Sequence, residues 1–183
     1  MKLVTWLLWM LPLAALPAQQ EATTLAALTK TADSIVVATA VAATDPSPEF
    51  HRIEFRTERS LKGNLTGGFA VLEPAGRCCG RALSTIAIGD RVLTFLQQRG
   101  GTVHPVGGDR GVMLATDALV DHVLALRNAT TQAQHAARIA EALASTEPRI
   151  QADAALTLAQ LPAAPLDTNA QTQILVALDR ELQ

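Results

Sequence analysis

Residues 50–61 run Phe50-His51-Arg52-Ile53-Glu54-Phe55-Arg56-Thr57-Glu58-Arg59-Ser60-Leu61. Ile53, Phe55, Thr57 and Leu61 fall on one side with His51, while Arg52, Glu54, Arg56 and Glu58 fall on the other with alternating sign. Successive side chains of a strand point to opposite faces, so this alternation marks a half-buried β-strand. Its charged face is a solvated one, and exposed ion pairs of that kind contribute little stability.

The flanking sequence repeats the strand signal. Ser34–Ala43 places Ile35, Val37, Thr39 and Val41 on one face and Val36, Ala38, Ala40 and Ala42 on the other. The two prolines of Thr44–Glu49 are expected to end that strand. Further strands are expected at Phe69–Glu73, Ser84–Ile88, Arg91–Gln98, Thr102–Val106 and Val112–Ala115. Val92-Leu93-Thr94-Phe95-Leu96 is nearly continuous in apolar character, which requires cover on both faces. Arg99-Gly100-Gly101 reads as a hairpin loop, and Gly107–Gly111 as a turn or bulge. A short helix, about Glu21–Ala32, precedes the strands and can pack as a lid. The expectation for residues 19–115 is a small antiparallel OB-like β-barrel, with a sandwich as the alternative.

Beyond residue 115 the composition shifts to Ala, Leu and Gln at helical spacing, without glycine. Thr116 suits an N-cap. Leu119, Val123 and Leu126 line one stripe of Asp117–Asn128. Ala136, Ile139, Ala140 and Leu143 line one of Thr131–Ser145. Pro148 opens a further helix, Arg149–Leu161, and Pro162 and Pro165 end it. Asp167 can cap a last helix with Ile174, Leu175, Leu178 and Leu182 on one face. The whole is therefore expected to be α+β, with residues 116–183 an all-α helical hairpin or HEAT-like segment.

Met1–Ala18 reads as a signal peptide. Lys2 gives the positive start, Leu3–Leu16 is apolar but broken by Pro12, and Leu16-Pro17-Ala18 is a small-residue exit. The run falls short of the ~20 residues that span a bilayer. The expected location is secreted or periplasmic, with no stable membrane span once the leader is removed. The chain has 183 residues, 15 Lys+Arg against 17 Asp+Glu, and a formal charge of −2. That balance gives no electrostatic reason to expect nucleic acid as a partner. There is no Tyr, and both Trp (Trp6 and Trp9) lie in the leader. Aromatic stacking platforms and cages are thereby nearly excluded.

The two cysteines, Cys78 and Cys79, are adjacent and have no other thiol to pair with. Four states are open: free thiols, a strained vicinal ring, a bond to another molecule, or a metal site. Separated Cys/His pairs of the zinc type are absent. Arg77 and Arg81 would favour the thiolate of an exposed pair, so Cys78 and Cys79 are the candidate redox or disulfide residues.

Ala32-Asp33-Ser34-Ile35-Val36-Val37, Glu58-Arg59-Ser60-Leu61-Lys62-Gly63, Gly89-Asp90-Arg91-Val92-Leu93-Thr94-Phe95-Leu96 and Val106-Gly107-Gly108 together resemble a family of exported bacterial domains. That family looks like the OB-type barrel of netrin-like and tissue-inhibitor-of-metalloproteinase domains. The resemblance spans roughly residues 30–115, and its elements mostly determine fold. The Cys-x-Cys start and the disulfide set of the inhibitors are missing, so their chelation of a protease metal does not carry over. Pro148–Leu161 is similar to one helix of a HEAT-type repeat. Solenoids need at least three repeats, so this one is expected as a cap or packing appendage.

Chemistry-bearing spacings are sparse. His51, His104, His122 and His135 form no His-x-x-x-His or His-Glu-x-x-His pair. His51 and His104 sit on arms that could face each other. No Gly-x-Ser-x-Gly elbow or Ser-x-x-Lys start is present, and Gly107–Gly111 lacks the Lys-Ser/Thr ending of a phosphate loop. Asn64-Leu65-Thr66 and Asn128-Ala129-Thr130 are formal glycosylation sequons. Neither catalytic, metal nor cofactor residues are singled out, and no cofactor is expected. Three readings compete: an exported non-catalytic interaction module with a protein partner, a redox or soft-metal protein using Cys78–Cys79, and an envelope hydrolase whose site has no recognisable motif. Convergence of His51, His104 and the cysteines in one cleft would favour the last two.

Overall fold

The computed structural model describes residues 23–74 and 83–160. Helix α1 (Leu25–Thr31) is followed by strands β1 (Ser34–Ser47), β2 (Phe50–Lys62), β3 (Gly68–Pro74), β4 (Arg91–Arg99), β5 (Thr102–Pro105) and β6 (Val112–Leu114). Helices α2 (Asp117–Asn128), α3 (Gln132–Leu143) and α4 (Pro148–Gln160) complete it. The architecture is α+β, an antiparallel six-stranded sheet followed by helices. The leader, Cys78–Cys79 with their flanking arginines, and the segment containing Asp167 and Leu182 lie outside the described residues.

The sheet runs β3-β2-β1-β4-β5, with β6 also pairing β4. It curls around an interior formed by Val36, Ala38, Ile53, Phe55, Phe69, Val71, Val92 and Leu96. Phe55 and Phe69 stack there with ring centroids 5.2 Å apart. Closure into a barrel is not reached. Cα atoms of β3 and β5 come within 8 Å, yet no ladder joins them among the described residues. β5 is only four residues long and ends on Pro105, which has no N–H to donate.

The opposite face of β1 and β4 is covered by helices. Ile35, Val37, Leu93 and Phe95 form one cluster with Leu25 and Leu28 of α1, Leu119 and Val123 of α2, and Ile139 and Ile150. This explains the continuous Val92–Leu96 run, all five residues of which are fully buried. It also makes α1 a true cover, with the Lys62 ammonium donating to the Thr29 carbonyl at 2.9 Å at its C-terminal end. The Arg127 guanidinium of α2 donates to the Leu61 carbonyl of β2. The helical segment therefore shares a core with the sheet.

Local chemistry sets the boundaries. Thr116 accepts from the Leu119 N–H, and Thr131 forms a capping box with Gln134, satisfying amides that a helix start leaves orphaned. Gly100 and Gly101 both have positive φ, 56° and 83°, in a two-residue hairpin between Arg99 and Thr102, as the primed turns require. Three expectations are corrected. The strand expected at Ser84–Ile88 is a 3₁₀ turn at Leu83–Thr85: Leu83 and Ile86 are both buried, and residues three apart share a side of a 3₁₀ turn. β1 continues through Pro46 to Ser47, since the register shift between Thr44 and Ser47 accommodates the proline. The first helix starts at Leu25, where Thr24 caps it.

Candidate functional site

Two places combine accessible surface with an arrangement that packing alone does not require. The first is the part of the sheet's outer face that the helices leave bare. A bulge between Ala40 and Ala42 of β1 adds a residue on one strand only, which re-aims its side chain. Val41 is that residue, and it is 41% exposed. Arg52, Glu54 and Arg56 lie beside it on β2, facing Leu72, Ala70 and Gly68 of β3 respectively. Leu72 is 51% exposed. A shallow depression of about 630 Å³ lies between these strands, bounded by Val41, Arg52, Arg56, Gly68 and Ala70. Gly68 has no internal reason to be glycine: a Cβ there would meet only the Phe55 carbonyl, at 3.5 Å. Glycine in a strand often marks a bulge, a bend or a close approach, and Gly68 opens β3 directly after the positive-φ Gly67.

The charges of this face are partly paired. Arg52 contacts Glu54 at 3.0 Å, and Arg91 bridges Glu58 at 3.3 Å and Asp117 at 2.8 Å. Those carboxylates raise the Arg91 pKa above its ordinary value, Asp117 most of all. Thr39 donates to Glu58. Arg56 has no ion pair among the described residues.

The second place is a pocket of about 200 Å³ between the four helices. Leu126, Ile139, Ala142 and Ala154 supply apolar wall; His122, His135, Arg138 and Asp153 supply polar atoms. Asp153, on α4, is 6% exposed. Its Oδ1 accepts the Leu25 N–H of α1 at 2.6 Å, fastening the cover helix to α4 across 128 positions of sequence. Burial raises the Asp153 pKa, against the opposing effects of that N–H and of Arg149. Burial likewise lowers the His122 pKa, with Glu141 opposing and Arg138 adding to the shift. Asp153 also lines a neighbouring hollow of about 300 Å³ with Thr23, Arg110 and Arg149.

The histidines named from sequence therefore divide differently from the expected pairing. His51 Nδ1 meets Asp45 at 2.6 Å, and His104 Nε2 meets Thr102 at 2.8 Å. They stand on β2 and β5, which are not paired. His122 and His135 instead line one pocket. Among the described residues no three His, Cys, Asp or Glu side chains are grouped to hold a metal ion. Asp153 was not singled out from sequence; its only signal is an acid inside the apolar stretch Ala152-Asp153-Ala154-Ala155. Cys78 and Cys79, the candidate redox residues, lie outside the described residues. No helix among the described residues is long and apolar enough to cross a membrane. Neither a scan against protein-family models nor a search of curated proteins gives a match to this chain.

Proposed function

We propose that the chain is an exported, non-catalytic binding module that engages a protein partner in the cell envelope or outside the cell. The contact surface is the bare outer face of β1–β3. The observation that carries this reading is a depression with glycine and alanine in its floor and exposed Val41 in its wall, together with exposed Leu72 opposite Arg52 on the same sheet face. Aliphatic side chains exposed beside a polar rim suit contact with a protein partner. Arg52, Glu54 and Arg56 give that rim both signs of charge, which suits a protein surface better than a polyanion. The resemblance of residues 30–115 to netrin-like OB-type barrels supports the reading and extends it to an inhibitor-like action, in which the module blocks its partner by occupying it. α4 acts in this view as a HEAT-like packing element. Met1–Ala18 is the leader that takes the chain to a secreted or periplasmic location.

The test is site-specific photocrosslinking in the producing cell, with the crosslinker at Leu72 and, as a control, at exposed Asp121 of α2. A discrete adduct is expected from position 72 only, and it should disappear when Val41→Glu is added. Adducts of equal yield from both positions, or none from position 72 in envelope and culture fractions alike, would overturn the assignment.

A further inference from the structure

We infer that the pocket between α1, α2, α3 and α4 binds a short aliphatic molecule carrying an uncharged hydroxyl, with Asp153 as the acceptor. Three observations lead there. The pocket holds about 200 Å³ and has Leu126, Ile139, Ala142 and Ala154 in its wall. Apolar cavities of ~150 Å³ already admit molecules of benzene's size. Pockets that are mostly apolar with a few placed polar groups are the usual form of small-ligand sites.

The second observation concerns Asp153. One carboxylate oxygen is taken by the Leu25 N–H; the other has no hydrogen-bond partner among the described residues. Yet the residue is 6% exposed and lines the pocket. That oxygen is not one of the buried unpartnered atoms, so it is open to water, and a ligand's donor would take the place of that water. Third, Arg138 lines the pocket and Arg149 acts on Asp153 by charge. Arg149 lines the neighbouring hollow and not this pocket; an ammonium brought to Asp153 through the pocket would meet Arg138, so a neutral donor is favoured. The Arg138 guanidinium is itself paired with Glu141, leaving Asp153 as the anchoring group.

The probes are pentan-1-ol, its donor-free isomer butyl methyl ether, and pentylamine, titrated into the full mature protein and followed through the methyl resonances of Ile139 and Ala142. Saturable shifts are expected with the alcohol, with the ether and the amine at least tenfold weaker. Ala142→Leu should fill the pocket and abolish the alcohol response. In Asp153→Asn the amide oxygen keeps the Leu25 bond and the NH₂ replaces the free oxygen. That group donates to alcohol and ether alike, so the tenfold preference should collapse to parity. Shifts that do not saturate, an ether or amine as strong as the alcohol in the unaltered protein, or an Asp153→Asn variant that keeps the preference would each overturn the assignment. If Ala142→Leu loses its far-ultraviolet circular dichroism, the alcohol-to-ether ratio in the unaltered protein decides alone. These outcomes are independent of crosslinking at Leu72.

Discussion

Replacing Asp153 by asparagine and by alanine separates two effects that the wild-type side chain superimposes. Both variants abolish the buried charge, and only asparagine keeps an acceptor for the Leu25 N–H. Leu25 is fully buried, so in Asp153→Ala its amide loses its partner without gaining water. Such an orphaned group costs about 1–3 kcal/mol. At roughly 2–4 °C per kcal/mol for a chain of this size, Asp153→Ala should melt about 2–12 °C below Asp153→Asn. The charge itself shows in pH dependence. Burial raises the folded-state pKa of Asp153, so between the ordinary carboxylate value and the raised one the folded chain holds a proton that the unfolded chain has released. Stability from this group is therefore complete below the ordinary pKa and lost as pH rises through the folded value. Asp153→Asn lacks that loss. Its advantage over wild type should grow with pH across the window and then level off. Thermal melts followed by circular dichroism from pH 3 to 8 measure both quantities. Equal melting of the asparagine and alanine variants would refute the role given to the Leu25 bond. A wild-type advantage over asparagine that increases with pH would refute the sign of the charge effect.

Four further outcomes follow. Gly111→Ala places a Cβ 2.2 Å from the Val106 carbonyl oxygen and 3.2 Å from that of Phe95; overpacking against backbone should cost about 1–3 kcal/mol, while Gly68→Ala, read in the same urea titration, should be near neutral. Thr131→Ala removes the side-chain acceptor of the Gln134 N–H and leaves the Gln134 side chain on the residue-131 amide; it should lower stability by about 1 kcal/mol in denaturant melts. His122, whose pKa burial depresses, favours the folded state above the ordinary histidine pKa, and this contribution is lost as pH falls through the lowered folded value; its ring protons should titrate below the ordinary histidine value by nuclear magnetic resonance, and His122→Gln should flatten the acid limb of stability. Removal of Met1–Ala18 takes away both tryptophans and leaves no tyrosine, so exported protein should show almost no absorbance at 280 nm, and indole fluorescence there would mean that the leader is retained.

What could be read from sequence, and what could not, follows the range of the interactions involved. Period-2 alternation in Phe50–Leu61, the continuous run Val92–Leu96 and the threonine before Asp117 are local signals. Each was answered by the strand, the doubly covered strand and the capped helix they predict. The bulge at Val41 left no such mark, because a bulge is a mismatch between two strands and neither strand alone contains it. Alternation put Val41 in line with Ile35 and Val37; the structure covers those two with helices and leaves Val41 bare. Ser84–Ile88 misled for a related reason, since a short apolar run does not tell a strand from a 3₁₀ turn whose residues point inward.

Asp153 is the extreme case. An aspartate among alanines reads as an exposed position on a helix, and only the arrival of α1 from 128 positions away makes it a buried acceptor. A buried carboxylate is a costly way to satisfy one amide, because an asparagine would serve without a charge to desolvate. Its retention is accounted for if the second oxygen has work of its own in the pocket it lines. Stability and binding should then oppose each other at this residue: Asp153→Asn is expected to be the more stable protein and the less discriminating one. A variant that improved on wild type in both respects would leave the carboxylate without a purpose.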